Sequence, residues 1–260
     1  MFDGFINRNR NLDLEVSYKD ISNLNEDLYQ IKHDISKISF PALFENLENY
    51  EMLNSGAALG YNCGPLIVSK NKLTDFRNLK IAIPGFKTSA FLLFTHFFGV
   101  ECDFKETLFS EIMNDVKTGK VDAGLIIHES RFTYQNFGLI KCYDLGELWE
   151  QQTRLPLPLG AIAIKRDFDC DFKLKIESLL SDSISSAMKN NSVVNFDYIK
   201  SHATEYDENV MKSHIDLYVN KFSINLGHEG KMAIKMLFEV ARKSGMLNIM
   251  DFTGNIILEE

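Results

Sequence analysis

The sequence predicts a two-lobed α/β protein, and three observations carry that prediction. Strands alternate with helices through the middle of the 260-residue chain. The last third reads as almost all helix, and no Pro/Gly/Ser-rich stretch separates the parts. Strand–helix alternation is the signature of βαβ units around a parallel sheet. With 5 prolines and no linker, two lobes must be joined by tight crossovers rather than a tether. The first lobe is expected from residues 1–70 and 164–260, the second from 71–163, with the binding site in the cleft between them.

The elements follow in order. Over 20–31, Ile21, Leu24, Leu28 and Ile31 repeat at helical spacing, with Asp20 or Ser22 as a cap. Residues 34–40 read as a short strand, and Pro41 opens a short helix to Leu47, since proline is tolerated in a first turn. Residues 64–69 read as a buried strand, and 79–83 as another. A turn over 84–89 leads into a helix over 89–98. Residues 102–108 are extended, and 110–118 form a helix stopped by Gly119. Strands are expected at 123–127 and 139–143, and helices at 172–189, 196–203, 209–219 and 229–244.

Composition bounds the function. Lys and Arg number 28 against 36 Asp and Glu, a net charge of −8. That balance argues against a general nucleic-acid binder, which needs a basic face to displace counterions. It leaves room for a small anionic ligand. The 4 cysteines form no CxxC pair, which speaks against a metal or dithiol site and suits a reducing cytoplasm. The richest apolar run, 90–100, is about half of the ~20 residues of a membrane span. The chain start lacks a basic region followed by an apolar core, so it does not read as a signal peptide.

His128 is the sharpest candidate for chemistry. It follows Gly124-Leu-Ile-Ile at the carboxyl end of a buried strand, where α/β proteins place ligands. Imidazole is the natural base near neutral pH. From position alone, an ordinary histidine at a strand end is the more frequent case. His128-Glu129 opens an HExxH zinc pattern that fails, because position 132 is Phe. Pro84-Gly-Phe-Lys-Thr-Ser-Ala is no P-loop, yet Thr88 or Ser89 can cap a helix whose first N–H groups attract an anion. Lys37-Ile-Ser-Phe ends another strand and could bind an anionic or hydroxylated ligand, or simply be solvated. The glycines over 55–65 fit a turn, a dinucleotide loop or a crossover, and GxGxxG is absent. Leu155-Pro-Leu-Pro-Leu-Gly is forced to be extended, either connecting lobes or walling the cleft. His33, His96, His202, His214 and His228 have no partner spacing and read as ordinary surface or core residues.

The longer motifs point further. Gly124-Leu-Ile-Ile-His-Glu-Ser-Arg-Phe-Thr-Tyr, Tyr143-Asp-Leu-Gly-Glu-Leu-Trp-Glu and Leu155-Pro-Leu-Pro-Leu-Gly-Ala-Ile resemble the 1,4-dihydroxy-6-naphthoate synthase family of the futalosine route to menaquinone. Lys37-Ile-Ser-Phe, Ser55-Gly-Ala-Ala-Leu-Gly, Gly64-Pro-Leu and Ile83-Pro-Gly-Phe-Lys-Thr-Ser-Ala support it, so the resemblance covers nearly the whole chain. It implies a type II periplasmic-binding-protein-like fold, each lobe a mixed sheet flanked by helices, with a helical C-terminal part. It implies a carbon–carbon lyase without metal or organic cofactor, acting in the cytoplasm on cyclic de-hypoxanthinyl futalosine. It implies His128 as the proton acceptor, and Lys37, Ile38, Ser39, Thr88, Ser89 and Ala90 as substrate contacts. Members also carry a first strand and a Ser-Pro-Cys-Pro-Asn-Asp-Thr-like loop ahead of the segment matching Met1-Phe2-Asp3, and this sequence holds no such segment. Two other readings compete: a transporter's solute-binding protein on the same fold, and the related dehydratase acting on chorismate.

Overall fold

A computed structural model describes residues 4–6, 12–189, 198–200, 207–245, 247 and 254–258. Helix α1 spans Ile21–Tyr29, and the Asp20 side chain caps it by accepting from the Ser22 N–H. Strand β1 (Ile35–Ser39) runs into α2 (Phe40–Phe44), with Pro41 in its first turn. Short strands β2 (Tyr50–Met52) and β3 (Ala58–Gly60) follow. Next come β4 (Leu66–Ser69), β5 (Lys80–Ile83), α3 (Ser89–Phe98), β6 (Asp103–Glu106) and α4 (Phe109–Thr118). Gly119 ends α4 in the left-handed conformation that glycine adopts most cheaply. Then come β7 (Ala123–Ile126), α5 (Ser130–Thr133), β8 (Ile140–Asp144), α6 (Leu145–Thr153) and β9 (Leu157–Lys165). Helices α7 (Cys170–Lys189), α8 (Glu208–Tyr218), α9 (Lys221–Ile224) and α10 (Gly227–Ser244) close the chain. Of the helix expected over 196–203, only 198–200 lie among the described residues.

The strands form two sheets. In the first, β9 is central, and β1, β2 and β3 all pair with it antiparallel. The second has the order β6-β5-β7-β4-β8. Parallel pairing is confined to β5 with β6 and β5 with β7, while β4 runs antiparallel to β7 and β8. The parallel sheet expected from strand–helix alternation is therefore only the core of the second sheet. The expected boundaries at 70/71 and 163/164 also move. They left β4 with the first sheet and β9 with the second, and the pairing reverses both. The chain crosses at 61–65 and returns through the segment of α6, before the two prolines. The run from Leu157 to Lys165 is extended and almost wholly buried, so it has backbone groups and apolar faces for neighbours on both edges.

The crossovers touch. A Cβ on Gly64 would lie 2.0 Å from the Gly146 nitrogen, so neither strand of the hinge has room for a side chain. Asp144, fully buried, caps α6 by accepting from the N–H groups of Gly146 (2.9 Å) and Glu147 (3.3 Å). Its other oxygen meets Arg131 at 2.5 Å, and the same guanidinium donates to the Gly64 carbonyl. Trp149 on α6 is buried and donates to the Pro156 carbonyl at 3.1 Å. On the far side of the first sheet, Ile176, Leu180 and Ile184 of α7 pack against Ile162 and Ile164 of β9. In the second lobe, Phe76, Phe94, Phe98 and Phe104 form an edge-on aromatic cluster.

Candidate functional site in the cleft

A cavity of about 460 Å³ opens between the two sheets. Residues of both sheets and of the helices around them supply its walls, Ile21 and Leu24 of α1 and Phe109 of α4 among them. From the first sheet come Lys37, Ile38 and Ser39 at the end of β1, and Leu159 and Gly160 of β9. From the second come Thr88, Ser89 and Ala90 at the start of α3, and Ile127, His128 and Glu129 just beyond β7. Helix α8 adds His214 and Tyr218, and Cys63 and Pro65 enter from the first crossover. All seven residues expected to contact or act on substrate thus face one space.

Their local roles differ from what residue type alone suggested. Thr88 is the N-cap of α3, accepting from the Phe91 N–H at 3.2 Å and donating to the Gly85 carbonyl at 2.7 Å. Ser89 donates across the cleft to the Leu159 carbonyl at 2.6 Å. Both hydroxyl protons are used within the protein, so the anion-attracting groups here are the N–H groups of the first turn. Ser39 is held by Asn25, which accepts from the Ser39 N–H at 2.9 Å and donates to its hydroxyl at 3.1 Å. The same Asn25 amide reaches the Lys87 carbonyl at 3.1 Å, so it staples the β1 end to the turn before α3. Asn25 was not singled out from sequence; an asparagine amid the apolar positions of an amphipathic helix was the available signal.

His128 sits in the left-handed region at φ 55, a conformation that disfavours residues other than glycine. The bend turns both His128 and Glu129 toward the cavity, while Arg131, one turn later, holds both crossovers. The His128 ring stands edge-on to Phe109 at 5.2 Å between centroids and faces the His214 ring at 6.1 Å. His214 in turn lies 4.6 Å from the Tyr218 ring, whose hydroxyl donates to the Cys63 carbonyl. Burial, then the neighbouring Lys37 ammonium, pushes His128 down to about 3, so its imidazole is neutral and a free acceptor. Burial lowers His214 as well, opposed by the Glu129 carboxylate. Burial also lowers Lys37, again opposed by Glu129. His214 read from sequence as an ordinary helix residue; a contact across 86 positions leaves no spacing to find. Of the other histidines, His33 pairs with Asp27, His96 meets Gln152, His228 is exposed, and His202 lies outside the described residues.

Donor atoms of His128, Glu129 and His214 lie within 4.8 Å of one another, a grouping of metal-ligating type. The Lys37 ammonium that bears on both imidazoles opposes a dication there. No helix among the described residues is long and apolar enough to cross a membrane.

One antiparallel sheet and one mixed sheet, where a mixed sheet was expected in each lobe, are joined by two crossovers with a cavity at the junction, and that arrangement defines a periplasmic-binding-protein-like fold. Solved structures agree. A Candida albicans protein described as having the generic periplasmic binding protein fold matches with a TM-score of 0.65 at 15% identity, over 96% of this chain and 86% of its own. An Archaeoglobus fulgidus protein matches with a TM-score of 0.86 at 31% identity, over 91% and 88%. Within that fold, residues 1–243 match the family described as menaquinone biosynthesis, and the chain belongs to it. Two curated relatives are named 1,4-dihydroxy-6-naphthoate synthase. The one from Thermus thermophilus is 36% identical, over 90% of this chain and 85% of its own. The one from Streptomyces coelicolor is 37% identical, over 90% and 84%.

Proposed function

We propose that this chain is a 1,4-dihydroxy-6-naphthoate synthase, a carbon–carbon lyase that cleaves cyclic de-hypoxanthinyl futalosine. The observation that carries this reading is one cavity whose walls hold a neutral, inward-facing imidazole, a recessed ammonium and a helix start. The two curated relatives with that name support it over nine-tenths of the chain.

The geometry supports the following roles. His128 accepts a substrate proton, and its neutral form at physiological pH makes it available without prior deprotonation. As the carbon–carbon bond breaks, negative charge develops on oxygen. The start of α3, with its N–H groups, and Lys37 line the same cavity, and they stabilise that charge. Aromatisation of the product supplies the driving force. Ile38, Leu159, Phe109 and Tyr218 give the flat product apolar walls. No organic cofactor takes part in this scheme. The reaction is placed in the cytoplasm, in keeping with four free cysteines.

The test is turnover. Wild-type protein and His128→Ala are incubated with cyclic de-hypoxanthinyl futalosine, and 1,4-dihydroxy-6-naphthoate is followed by absorbance and mass. Product from wild type with a loss of ~10²–10⁴ in kcat for the variant is the expected result. Product at equal rates from both removes His128 from its role, and no product from folded wild type removes the activity.

A further inference from the structure

The scheme above leaves a problem that the cavity itself addresses. Once His128 holds a proton, a buried imidazolium sits beside the Lys37 ammonium, and like charges at close range in a cleft are costly. Across the cleft, on α8 in the helical C-terminal part, the His214 ring faces His128 at 6.1 Å. The nearest donor atoms of His128, Glu129 and His214 fall within 4.8 Å. Two hydrogen bonds of ~2.8 Å meeting at one water near the tetrahedral angle span about 4.6 Å, a span that matches the separation of the two rings' nitrogens.

We propose that His214 is a second acid–base residue of this site, receiving from His128 the proton that His128 takes from substrate. This rests on the synthase reading. The exchange balances simply: an N–H bond at His128 breaks, an N–H bond at His214 forms, and nothing is oxidised or reduced. On His214 the proton gains the favourable Glu129 carboxylate, whose influence there exceeds the opposing one of Lys37. The groups facing His214 are His128, Glu129 and Lys37 from the opposite walls and Tyr218 on its own helix. Tyr218, its ring tilted against the His214 ring at 4.6 Å and its hydroxyl tied to the Cys63 carbonyl, fixes the orientation of His214. His128 comes from the second lobe and His214 from a helix against β3 of the first, so the relay spans the cleft.

The experiment compares wild type, His214→Gln and His214→Asn in steady-state turnover of cyclic de-hypoxanthinyl futalosine, with and without added imidazole. Circular dichroism verifies that each variant is folded, and two amides of different length guard against one failing to fold. The expected result is a 30- to 1000-fold lower kcat with KM within about threefold, and partial recovery with imidazole. Packing alone predicts no recovery. A kcat within threefold of wild type overturns the proposal, as does a loss carried by KM or one that imidazole leaves unchanged. Inactive wild type would instead refute the synthase reading, which keeps the two failures apart.

Discussion

Replacing Gly64 by alanine tests how the two lobes are joined. The added Cβ would stand 2.0 Å from the Gly146 nitrogen and 2.4 Å from its Cα, where ordinary contact begins at 3.4 Å. The opposing atoms are backbone, so no rotamer change relieves the overlap and the crossovers must separate by more than 1 Å. Overpacking of this kind costs ~3 kcal/mol at the upper end of its range. Separation also strains the Arg131 bond to the Gly64 carbonyl and the bond from the Leu145 N–H to the Pro65 carbonyl at 2.9 Å, each worth about 1 kcal/mol. A total near 5 kcal/mol corresponds to a midpoint lowered by about 10–20 °C in a chain of this size. The single tryptophan, Trp149, is buried on α6 beside the hinge, so its fluorescence reports the transition during heating. A midpoint within ~2 °C of wild type would refute the steric argument.

The acid limb of kcat/KM for cyclic de-hypoxanthinyl futalosine tests the state of His128. Its folded value is depressed to about 3, so the basic form survives as pH falls through the ordinary imidazole range and is lost only near 3. A profile without a His128 step between pH 7 and 5 is expected, and a half-loss near 6.5 that His128→Ala abolishes would contradict it. Cysteine reactivity gives a third test. Burial foremost, with Glu150 nearby, pushes the Cys63 thiol up to about 12, so almost no thiolate exists at pH 8. Exposed Cys170 should alkylate with iodoacetamide while Cys63 stays unmodified by mass spectrometry. Equal labelling of the two would show that the cavity wall at Cys63 is open.

Much of the fold was legible because local signals marked it. Asp20 before an i, i+3, i+7 repeat, Pro41 in a first turn and Gly119 after a helix each specify a terminus by short-range chemistry. Sheet membership was not, since β4 and β9 read as apolar runs that fit either sheet, and only long-range pairing assigns them. Strands β2 and β3, of three residues each, are too short to show a period. In the cavity, His128 was legible from its place at a strand end. Lys37 and Ser39 were legible as a strand end and the Thr88–Ser89 pair as a helix cap, and the motif resemblance added their role as substrate contacts. His214 and Tyr218 were invisible, because each acts through a partner brought near by tertiary packing, and Asn25 left only the trace of an amide among the apolar positions of a helix.

The central place of β9 has a consequence for how the protein is made. Strands β1, β2 and β3 each pair with β9 and, within that sheet, with none of one another. They leave the ribosome about 100 residues before their partner, which at 5–20 residues per second is on the order of 10 s. The second sheet, by contrast, lies wholly between Leu66 and Asp144 and can assemble in that interval. Its completion brings the two ends of the segment together at the Gly64–Gly146 contact, and so presents the emerging Leu157–Lys165 run to the waiting edges. The lobe made first is therefore the lobe finished last, and the nascent chain holds apolar strands unpaired until residue 165 is out.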